Sequence, residues 1–336
     1  MIQRPGHSRG VRLAGTGLAV PDRVLNNKDL SEIVDTSDDW ITKRTGISER
    51  RIASDDQTVI DLGEQALRQA LEEASTDPSD LDLVILATMT PEMACPSSAA
   101  QMAAQVGAVP AGAMDLSAAC SGFVYALNVA AGLIQAGHYK NIGVVGAETM
   151  SRVLDFTDRR TCVLFGDGAG AAVVTADDNP ETGCLFQTMR SDGSRWGELY
   201  LPRHEGHLPT DAPDDVFSGN YGKLQMNGRE VFKFAVTTTE AIIDETLATT
   251  GVDPADLAMV IPHQSNRRIL EAARHRLDLP PEKFCINIDR YGNTSAASVP
   301  IALHEQRSEG RIKSGDLVLF LAIGGGLTWT TSLWRV

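Results

Sequence analysis

One cysteine occupies a position that suits a nucleophile. Cys120 follows residues 114–116, which end an apolar run typical of a buried strand, and it precedes an alanine-rich segment, residues 123–136, that is predicted to be helical. A residue at such a strand-to-helix turn faces a cleft and has unpaired backbone N–H groups around it. Those groups and the helix dipole favour negative charge, so we expect the thiol pKa to be lowered and a reactive thiolate to form.

Two polar residues much further along the chain occupy related positions. His263 ends a predicted strand at the place that Ala87 has in the N-terminal half, and Asn293 lies at a turn that corresponds to the turn of Cys120. Taken alone, the histidine suits a cap or a core position, and an asparagine after Gly292 is common in tight turns. Together, the three side chains are predicted to converge on one site.

That prediction depends on an internal repeat. The segment PSDLDLVILA from Pro78 recurs from Pro254 as PADLAMVIPH, and each copy suits a turn followed by a buried strand. The segments before them, residues 59–71 and 235–247, both have apolar residues at helical spacing and lie at the same offset. Matched elements in the same order indicate a duplication.

Two further units extend the repeat. Residues 284–288 are predicted to end a strand before a turn and a helix, as in the Cys120 unit, and apolar strands at residues 142–146 and 317–323 close the two halves. Strands this apolar are buried on both faces. We therefore expect an α/β fold with five layers, α/β/α/β/α, built from two duplicated halves at residues 1–185, which contain the cysteine, and 186–336, which contain the histidine and the asparagine.

Composition excludes several classes of protein. The chain has 336 residues, 43% hydrophobic and 22% charged, as in a folded globular enzyme, and its net charge of -14 argues against nucleic acid as a partner. We expect no membrane span and no secretion signal, and five scattered cysteines without a CxxC pair suit a reducing cytoplasm rather than a disulfide framework or a zinc site. The glycine-rich run at residues 166–170 fails the nucleotide-binding spacings, so a close crossing of two backbones is expected there.

Six motifs, in order, give the chain a resemblance to a known family. They are DWITKRTGI at residues 39–47, AACSGF at 118–123, FGDGAGAA at 165–172, PHQSN at 262–266, GNTSAAS at 292–298 and GGGLTW at 324–329. From residue 11 to the end, the chain resembles the β-ketoacyl-acyl carrier protein synthase III enzymes of the thiolase superfamily. The resemblance implies the same five-layered fold as the repeat.

The resemblance also implies catalytic roles. Cys120 is the implied nucleophile, which takes an acyl group from a coenzyme A thioester. His263 and Asn293 are implied to hold the carbonyl of a malonyl thioester while decarboxylation generates an enolate. The implied oxyanion hole for the acyl-cysteine is formed by the backbone N–H groups of Cys120 and Gly325. No metal and no cofactor is implied beyond coenzyme A as a substrate.

Binding residues are implied in the same way. Trp40 is implied to stack on the adenine of coenzyme A, with Arg44 and Arg159 beside its nucleotide end. The other implied binding residues are Asn266 and Arg268 at the channel mouth, Gln264, Ser265, Asn266, Arg267 and Arg268 for the carrier protein, and Cys95, Phe165 and Met226 for the acyl pocket. In the family, the position of Cys95 often has a large apolar residue that reaches into the neighbouring subunit's pocket. Docking of an acidic carrier protein on this acidic chain requires a local basic patch. The candidate patch consists of arginines 267, 268, 274 and 276 with His275, and the alternative is that these residues form only a solvated helix face.

The implied protein is a cytoplasmic homodimer that condenses an acyl primer with malonyl-acyl carrier protein to start fatty acid synthesis. It binds neither membrane nor nucleic acid. Two alternatives stay open at this point. One is a relative in specialised metabolism that primes a polyketide or transfers acyl groups without condensation, and the other is a non-catalytic acyl-CoA-binding protein that has kept the fold.

Overall fold

A computed structural model describes residues 9–203 and 221–336. Within those residues, the α-helices are α1 (Asn27–Ser31), α2 (Asp38–Thr45), α3 (Val59–Ala74), α4 (Ser98–Val106), α5 (Gly122–Gln135), α6 (Gly228–Thr250), α7 (Arg267–Arg276), α8 (Ile288–Tyr291) and α9 (Ser298–Ser308). The strands are β1 (Gly10–Ala19), β2 (Val24–Asn26), β3 (Glu49–Arg51), β4 (Leu83–Ala87), β5 (Gly112–Leu116), β6 (Asn141–Glu148), β7 (Gly168–Asp177), β8 (Gly183–Ser191), β9 (Leu199–Tyr200), β10 (Gln225–Met226), β11 (Leu257–Pro262), β12 (Leu317–Gly324) and β13 (Thr328–Arg335).

The two main sheets are mixed, as the repeat predicts. One has the strand order β1-β7-β6-β4-β5 and the other β11-β12-β13-β8. In the first sheet, β4 runs parallel to β5 and β6, while β7 is antiparallel to its neighbours. In the second, β11 and β12 are parallel and β13 is antiparallel to both of its neighbours. Matching strands therefore have matching directions in the two halves.

Helices fill the spaces outside and between the sheets. Helices α3 and α4 cover the outer face of the first sheet, and α6 packs on the second sheet and on α7. Helices α5 and α9 contact strands of both sheets, and one continuous apolar core joins them to the inner faces. The predicted five-layered α/β/α/β/α fold is confirmed.

The predicted repeat elements occur in both halves. A 3-10 turn, Pro78–Asp80, leads into β4, and the matching turn Pro254–Asp256 leads into β11. Proline begins each turn, and the preceding aspartate, Asp77 or Asp253, accepts a hydrogen bond from a backbone N–H of the turn. The second sheet begins with β8 at Gly183, so the expected boundary at residue 185 falls inside its first strand.

Local sequence explains how the long helices begin. Thr58 and Asp61 form a capping box at the start of α3, because each side chain accepts a hydrogen bond from the other residue's backbone N–H. Asn227 accepts from the backbone N–H of Glu230 at the start of α6. Apolar residues on one face of α3 then pack on the first sheet, in a second core outside the central layer.

Two strand predictions are corrected by the structure. Residues 114–116 do belong to a strand, β5, but it is the edge of its sheet rather than a buried strand, and Met114 is 37% exposed. The strand expected at residues 284–288 is reduced to a single bridge between Phe284 and Val260, after which α8 begins. The second sheet therefore has no described counterpart of β5. The glycine- and proline-rich composition of residues 191–222 also predicts a surface loop. Of that segment, Leu199–Tyr200 forms the short strand β9, and residues 204–220 lie outside the described residues.

Close packing of α9 on the first sheet depends on glycine. A Cβ added at Gly146 in β6 would lie 2.9 Å from the carbonyl carbon of Ala296 and still closer to its oxygen. A Cβ at Gly170 in β7 would lie 2.6 Å from the backbone nitrogen of Ile301. Since backbone atoms cannot move aside cheaply, any larger residue here separates the helix from the sheet.

We predict that Gly146→Ala lowers the free energy of unfolding by roughly 1–3 kcal/mol, because the added methyl group overpacks the contact with Ala296. The matched control is Gly132→Ala within α5, where an added Cβ meets nothing within 4 Å. There the helix propensity of alanine should stabilise the protein by about 0.5–1 kcal/mol. Urea unfolding of both variants measures the difference, and equal effects of the two substitutions would contradict the packing argument.

Candidate active site

The turn that presents Cys120 is held from the opposite half of the chain. Cys120 lies in a 3-10 turn, Ala119–Ser121, directly before α5. The end of β12 packs against it so closely that a Cβ on Gly324 would lie 2.8 Å from the backbone nitrogen of Cys120. The hydroxyl of Thr328 donates to the carbonyl oxygen of Ala118, the residue before the turn, at 3.1 Å. Both halves therefore determine where the sulfur lies.

His263 is placed and oriented by two hydrogen bonds. It follows β11, and its backbone N–H donates to the carbonyl of Leu321 at 2.7 Å. Its Nδ1 lies 2.7 Å from the hydroxyl of Ser298, and that hydroxyl accepts the backbone N–H of Gln264 at 3.3 Å. This arrangement favours a hydroxyl that donates to Nδ1, which leaves the proton of the imidazole on Nε2. Burial lowers the pKa of His263 to about 3, so the ring is neutral.

Asn293 is fixed where two backbones cross. Its backbone N–H donates to Leu164 at 2.8 Å, and its carbonyl accepts the N–H of Gly166 at 3.1 Å. A Cβ on Gly166 would lie 2.5 Å from the carbonyl oxygen of Tyr291, so the predicted close crossing at the glycine-rich run is confirmed. The side-chain Oδ1 accepts the backbone N–H of Ser295 at 2.8 Å, which leaves the amide NH₂ as the donor available to a substrate.

Two cavities meet at the sulfur of Cys120. The first, of about 100 Å³, is lined by Cys120, His263 and Asn293 together with residues at the start of α7. The second, of about 440 Å³, is mostly apolar, and its lining includes Cys120, Gly325, Met89, Met150, Leu201 and Leu224. The structure thus brings the three predicted catalytic residues to one cavity and places Gly325 in the lining of the other.

The three residues expected in the acyl pocket do not lie together in the structure. Phe165 lines both cavities, whereas Met226 lines the first cavity, on the side of His263. Cys95 is exposed and lines neither cavity. Four residues of the apolar cavity, Met89, Met150, Leu201 and Leu224, were not predicted, because they come from separate segments and have no motif in common.

The expectation of a lowered thiol pKa is wrong for this geometry. Burial raises the pKa of Cys120 to about 12. A hydrogen bond from Ser295 lowers this pKa in part, and the negative charge of Glu148 raises it. The sequence showed the helix end but not the depth of the turn, where only 5% of the residue is exposed. A thiolate therefore requires help beyond the helix dipole.

Glu148 is a buried acid that the sequence analysis missed. It ends β6 and accepts hydrogen bonds from the backbone N–H groups of Met89 and Thr90 and from the hydroxyls of Thr88, Thr90 and Ser295. Burial nevertheless raises the pKa of Glu148 to about 7. A single acidic residue after the apolar run of residues 142–147 was the available signal.

Trp40 forms a cationic platform with the two predicted arginines. The guanidinium carbons of Arg44 and Arg159 lie 4.6 and 5.4 Å from the centre of its ring. Asn266, which caps α7, donates to the carbonyl of Arg44 at 3.0 Å and so joins this platform to the cavity mouth. Arg268 lies over Phe232, which lines the first cavity.

The segment expected to bind a carrier protein is only partly exposed. Gln264 is 1% exposed, and its amide bonds to the carbonyls of Pro262 and Cys285 and to the backbone N–H of Asn287. Gln264 is therefore a buried tether that cannot contact a docked protein, which corrects the expectation. Ser265 lines the cavity, and Arg267 and Arg268 are exposed at its rim.

Two further properties of the described residues concern metal ions and membranes. Within residues 9–203 and 221–336, histidine, cysteine, aspartate and glutamate side chains form no group of three or more that suits a metal ion. In the same part of the chain, no helix combines the length and apolar character needed to cross a membrane.

Known proteins match this chain over nearly its whole length. Residues 114–193 match the family model of 3-oxoacyl-[acyl-carrier-protein] synthase III, and residues 247–336 match the model of its C-terminal part. The beta-ketoacyl-[acyl-carrier-protein] synthase III of Xanthomonas oryzae pv. oryzae is 49% identical over 324 residues, which cover 96% of this chain and 98% of that protein.

Solved structures agree with the sequence matches. The crystal structure of 3-oxoacyl-[acyl-carrier-protein] synthase III from Aquifex aeolicus has a TM-score of 0.89 and 48% identity, covering 97% of this chain and 100% of that one. The priming beta-ketosynthase of the R1128 polyketide biosynthetic pathway has a TM-score of 0.90 and 36% identity, covering 99% and 98%. By sequence and by fold, the chain belongs to the β-ketoacyl-acyl carrier protein synthase III family.

Proposed function

We propose that the chain transfers an acyl primer from coenzyme A to Cys120 and condenses it with malonyl-acyl carrier protein, giving a 3-oxoacyl product that starts fatty acid synthesis. One observation supports this most directly. A cysteine, a neutral histidine and an asparagine line a single cavity, and an apolar cavity lies on the other side of the sulfur. A thiol nucleophile, two neutral donors and room for an acyl chain are what the two half-reactions require.

In the first half-reaction, Sγ of Cys120 attacks the thioester carbonyl and coenzyme A leaves. The backbone N–H groups of Cys120 and Gly325 would stabilise the oxyanion of the tetrahedral intermediate. Glycine at 324 permits the close approach of β12 to this turn, since a Cβ there would lie 2.8 Å from the nitrogen of Cys120. The acyl chain then extends into the cavity lined by Met89, Met150 and Leu224.

In the second half-reaction, the malonyl thioester loses CO₂ and its enolate carbon attacks the acyl-cysteine. Nε2–H of His263 and the amide NH₂ of Asn293 would donate to the thioester oxygen as it gains charge. A ring with a pKa of about 3 is not an imidazolium at working pH. It therefore stabilises the enolate without protonating it.

The cavity mouth suits coenzyme A and an acidic carrier protein. The face of Trp40 would stack on adenine, and the guanidiniums of Arg44 and Arg159 beside it would contact phosphate groups. Arg267 and Arg268, exposed where α7 begins, would dock the carrier protein in an otherwise acidic molecule. The exposed edge of β5 and the exposed apolar residues Met93, Val109 and Met114 support a homodimer. The five cysteines form no disulfide with one another, which suits the cytoplasm.

Polyketide priming is the second candidate function. It is supported by the likeness to the R1128 priming ketosynthase and by an apolar cavity of about 440 Å³, which is roomy for an acetyl primer. The two functions share the chemistry and differ in the primer and the carrier protein. Steady-state rates with a fatty acid carrier protein and a polyketide carrier protein, each malonylated, distinguish them.

We predict that Cys120→Ala abolishes acyl-enzyme formation, while Asn293→Ala still forms it but loses condensation by about 10²–10³ in rate, because one donor to the enolate oxygen is lost. Intact-protein mass spectrometry after acyl-CoA exposure measures the first step, and CO₂ release from malonyl-acyl carrier protein measures the second. An acyl-enzyme in Cys120→Ala, or equal losses of both steps in Asn293→Ala, would contradict the assigned roles.

We predict that Trp40→Ala raises the KM for acyl-CoA by about tenfold, because aromatic stacking on a base contributes about 1–3 kcal/mol. Its KM for malonyl-acyl carrier protein should not change. Arg267→Glu serves as the matched comparison, because Arg267 is assigned to the carrier protein alone. Its KM for malonyl-acyl carrier protein should rise and depend less on salt, whereas its KM for acyl-CoA should not change. If both variants impair both substrates equally, the two binding surfaces are not separate.

The primer range is predicted to depend on Cys95. If its side chain reaches the partner subunit's pocket, Cys95→Phe should shorten that pocket and lower Cys120 acylation by octanoyl-CoA at least tenfold, with acetyl-CoA unaffected, since overpacking an apolar site costs about 1–3 kcal/mol. Cys162→Ala is the control, because Cys162 is buried away from both cavities. Loss of acetyl-CoA acylation as well would show that the residue affects the whole fold instead.

A further inference from the structure

Glu148 and Ser295 lie next to the nucleophile, and the reaction described above uses neither side chain. Oγ of Ser295 donates to Oε1 of Glu148 at 3.0 Å, and the turn that contains Ser295 packs against the turn that contains Cys120, where the Ser295 side chain lowers the pKa of the thiol. All three residues are buried, at 5% exposure or less. A continuous path thus joins the sulfur, a hydroxyl and a carboxylate.

The physical problem at this site is charge. Ionising Cys120 beside an ionised Glu148 would place two negative charges in one buried region, and each disfavours the other. Moving the thiol proton to the carboxylate leaves a single negative charge in the region. The charge changes place, and no second charge is created in a low-dielectric interior.

We propose that Ser295 and Glu148 form a proton relay that takes the thiol proton of Cys120 during acylation and returns it after condensation. Ser295 lies in the turn packed against that of the reacting sulfur, and Glu148 acts through Ser295. The proposal concerns the mechanism of the proposed function and rests on it for the return step, whereas the first proton transfer requires only Cys120, Ser295 and Glu148.

Protons and bonds balance over the cycle. In acylation, Sγ bonds to the thioester carbon while its proton goes to Oγ of Ser295, and the proton of Oγ goes to Glu148. The bond from that carbon to coenzyme A breaks, and the released thiolate takes a proton from water. In condensation, the enolate carbon bonds to the acyl carbon, Sγ leaves as a thiolate, and Glu148 returns its proton through Ser295. Each turnover therefore takes up one proton from solvent.

The stored proton also suits the second substrate. When Glu148 holds a proton, the region is uncharged as the malonyl carboxylate enters, so no buried anion opposes it. Among the described residues, three segments besides β6 face Glu148, and they present hydrogen-bond donors and one thiol. Residues 88–90 present hydroxyl and N–H groups, and the facing turns present Ser295 and the titratable Cys120, with neutral His263 further along the first cavity. The dominant titration expected near neutrality is that of Glu148.

The test measures the rate of Cys120 alkylation by iodoacetamide between pH 5.5 and 9.5. A relay requires ionised Glu148, so the wild-type rate should rise up to about pH 7 and then level off. In Glu148→Gln, the plateau of the alkylation rate above pH 7 (the levelling) should disappear, and the rate at pH 7.5 should fall by about 10²-fold, as expected for loss of a general base. Alkylation uses no substrate, so its result stands even if the proposed function fails.

Ser295→Ala provides a second variant that removes the hydroxyl alone. Ser295 has φ 48, and the residue at the matching place in the first half, Ala119, has φ 46, so alanine is tolerated in this turn. Its backbone N–H still donates to Asn293. Ser295→Ala should lose the levelling as Glu148→Gln does, with a melting temperature close to wild type.

Thr88→Val is the matched control. It removes another hydroxyl that donates to Glu148, at 3.1 Å, but leaves the path through Ser295 intact. It should keep the levelling, with a midpoint at higher pH because the carboxylate has lost a donor. A levelling that persists in Ser295→Ala, or in folded Glu148→Gln, would overturn the relay. Acylation by acyl-CoA in the same wild-type sample reports separately on the proposed function.

Discussion

The contact between two short turns determines the geometry of the whole site. The turns Ala119–Ser121 and Ser295–Ala297 begin the two central helices and pack against each other between the sheets. Gly122 follows the first turn directly, and a Cβ there would lie 3.0 Å from the methyl group of Ala87 in β4, so a larger residue would push the turn away from the first sheet. Because the two turns meet, a thiol from one half and an imidazole and a carboxamide from the other line one cavity. A duplicated fold creates such a meeting point at its own pseudo-twofold axis.

Burial at that contact determines the electrostatics as well. It keeps His263 neutral, which suits a donor to an enolate, and it opposes ionisation of Cys120, which a nucleophile needs. One environment therefore helps the second half-reaction and hinders the first. Glu148 relieves the conflict because its own pKa, raised to about 7, makes it a better proton acceptor than an exposed carboxylate. Hydrogen bonds from residues 88–90, rather than an arginine or lysine, hold it in place, so its charge remains available to the proton.

The sequence was sufficient for the layers, the repeat and the three residues that line the first cavity, because apolar periodicity and turn motifs are local signals. It was insufficient where tertiary packing decides. Residues 114–116 have the composition of a buried strand, yet β5 is an edge, and strand order is not a local property. Gln264 lies within a surface motif, yet its amide is used internally. The raised thiol pKa depends on depth, and the link from Cys120 to Glu148 joins residues from separate segments, so no spacing along the chain could show it.

The two cavities give the two substrates of the proposed mechanism separate places. The cavity lined by His263 and Asn293 has about 100 Å³, and the apolar cavity that Cys120 also lines has about 440 Å³. In that mechanism an acyl chain on Cys120 lies in the larger cavity, which leaves the smaller one to the second thioester. Placing the acyl chain there buries its apolar surface, which stabilises the bound chain by roughly 25 cal/mol for each Å² buried. The binding energy of the primer thus helps to keep the acyl chain out of the cavity lined by His263 and Asn293. The enolate needs the acyl-cysteine as its electrophile, so condensation follows acylation.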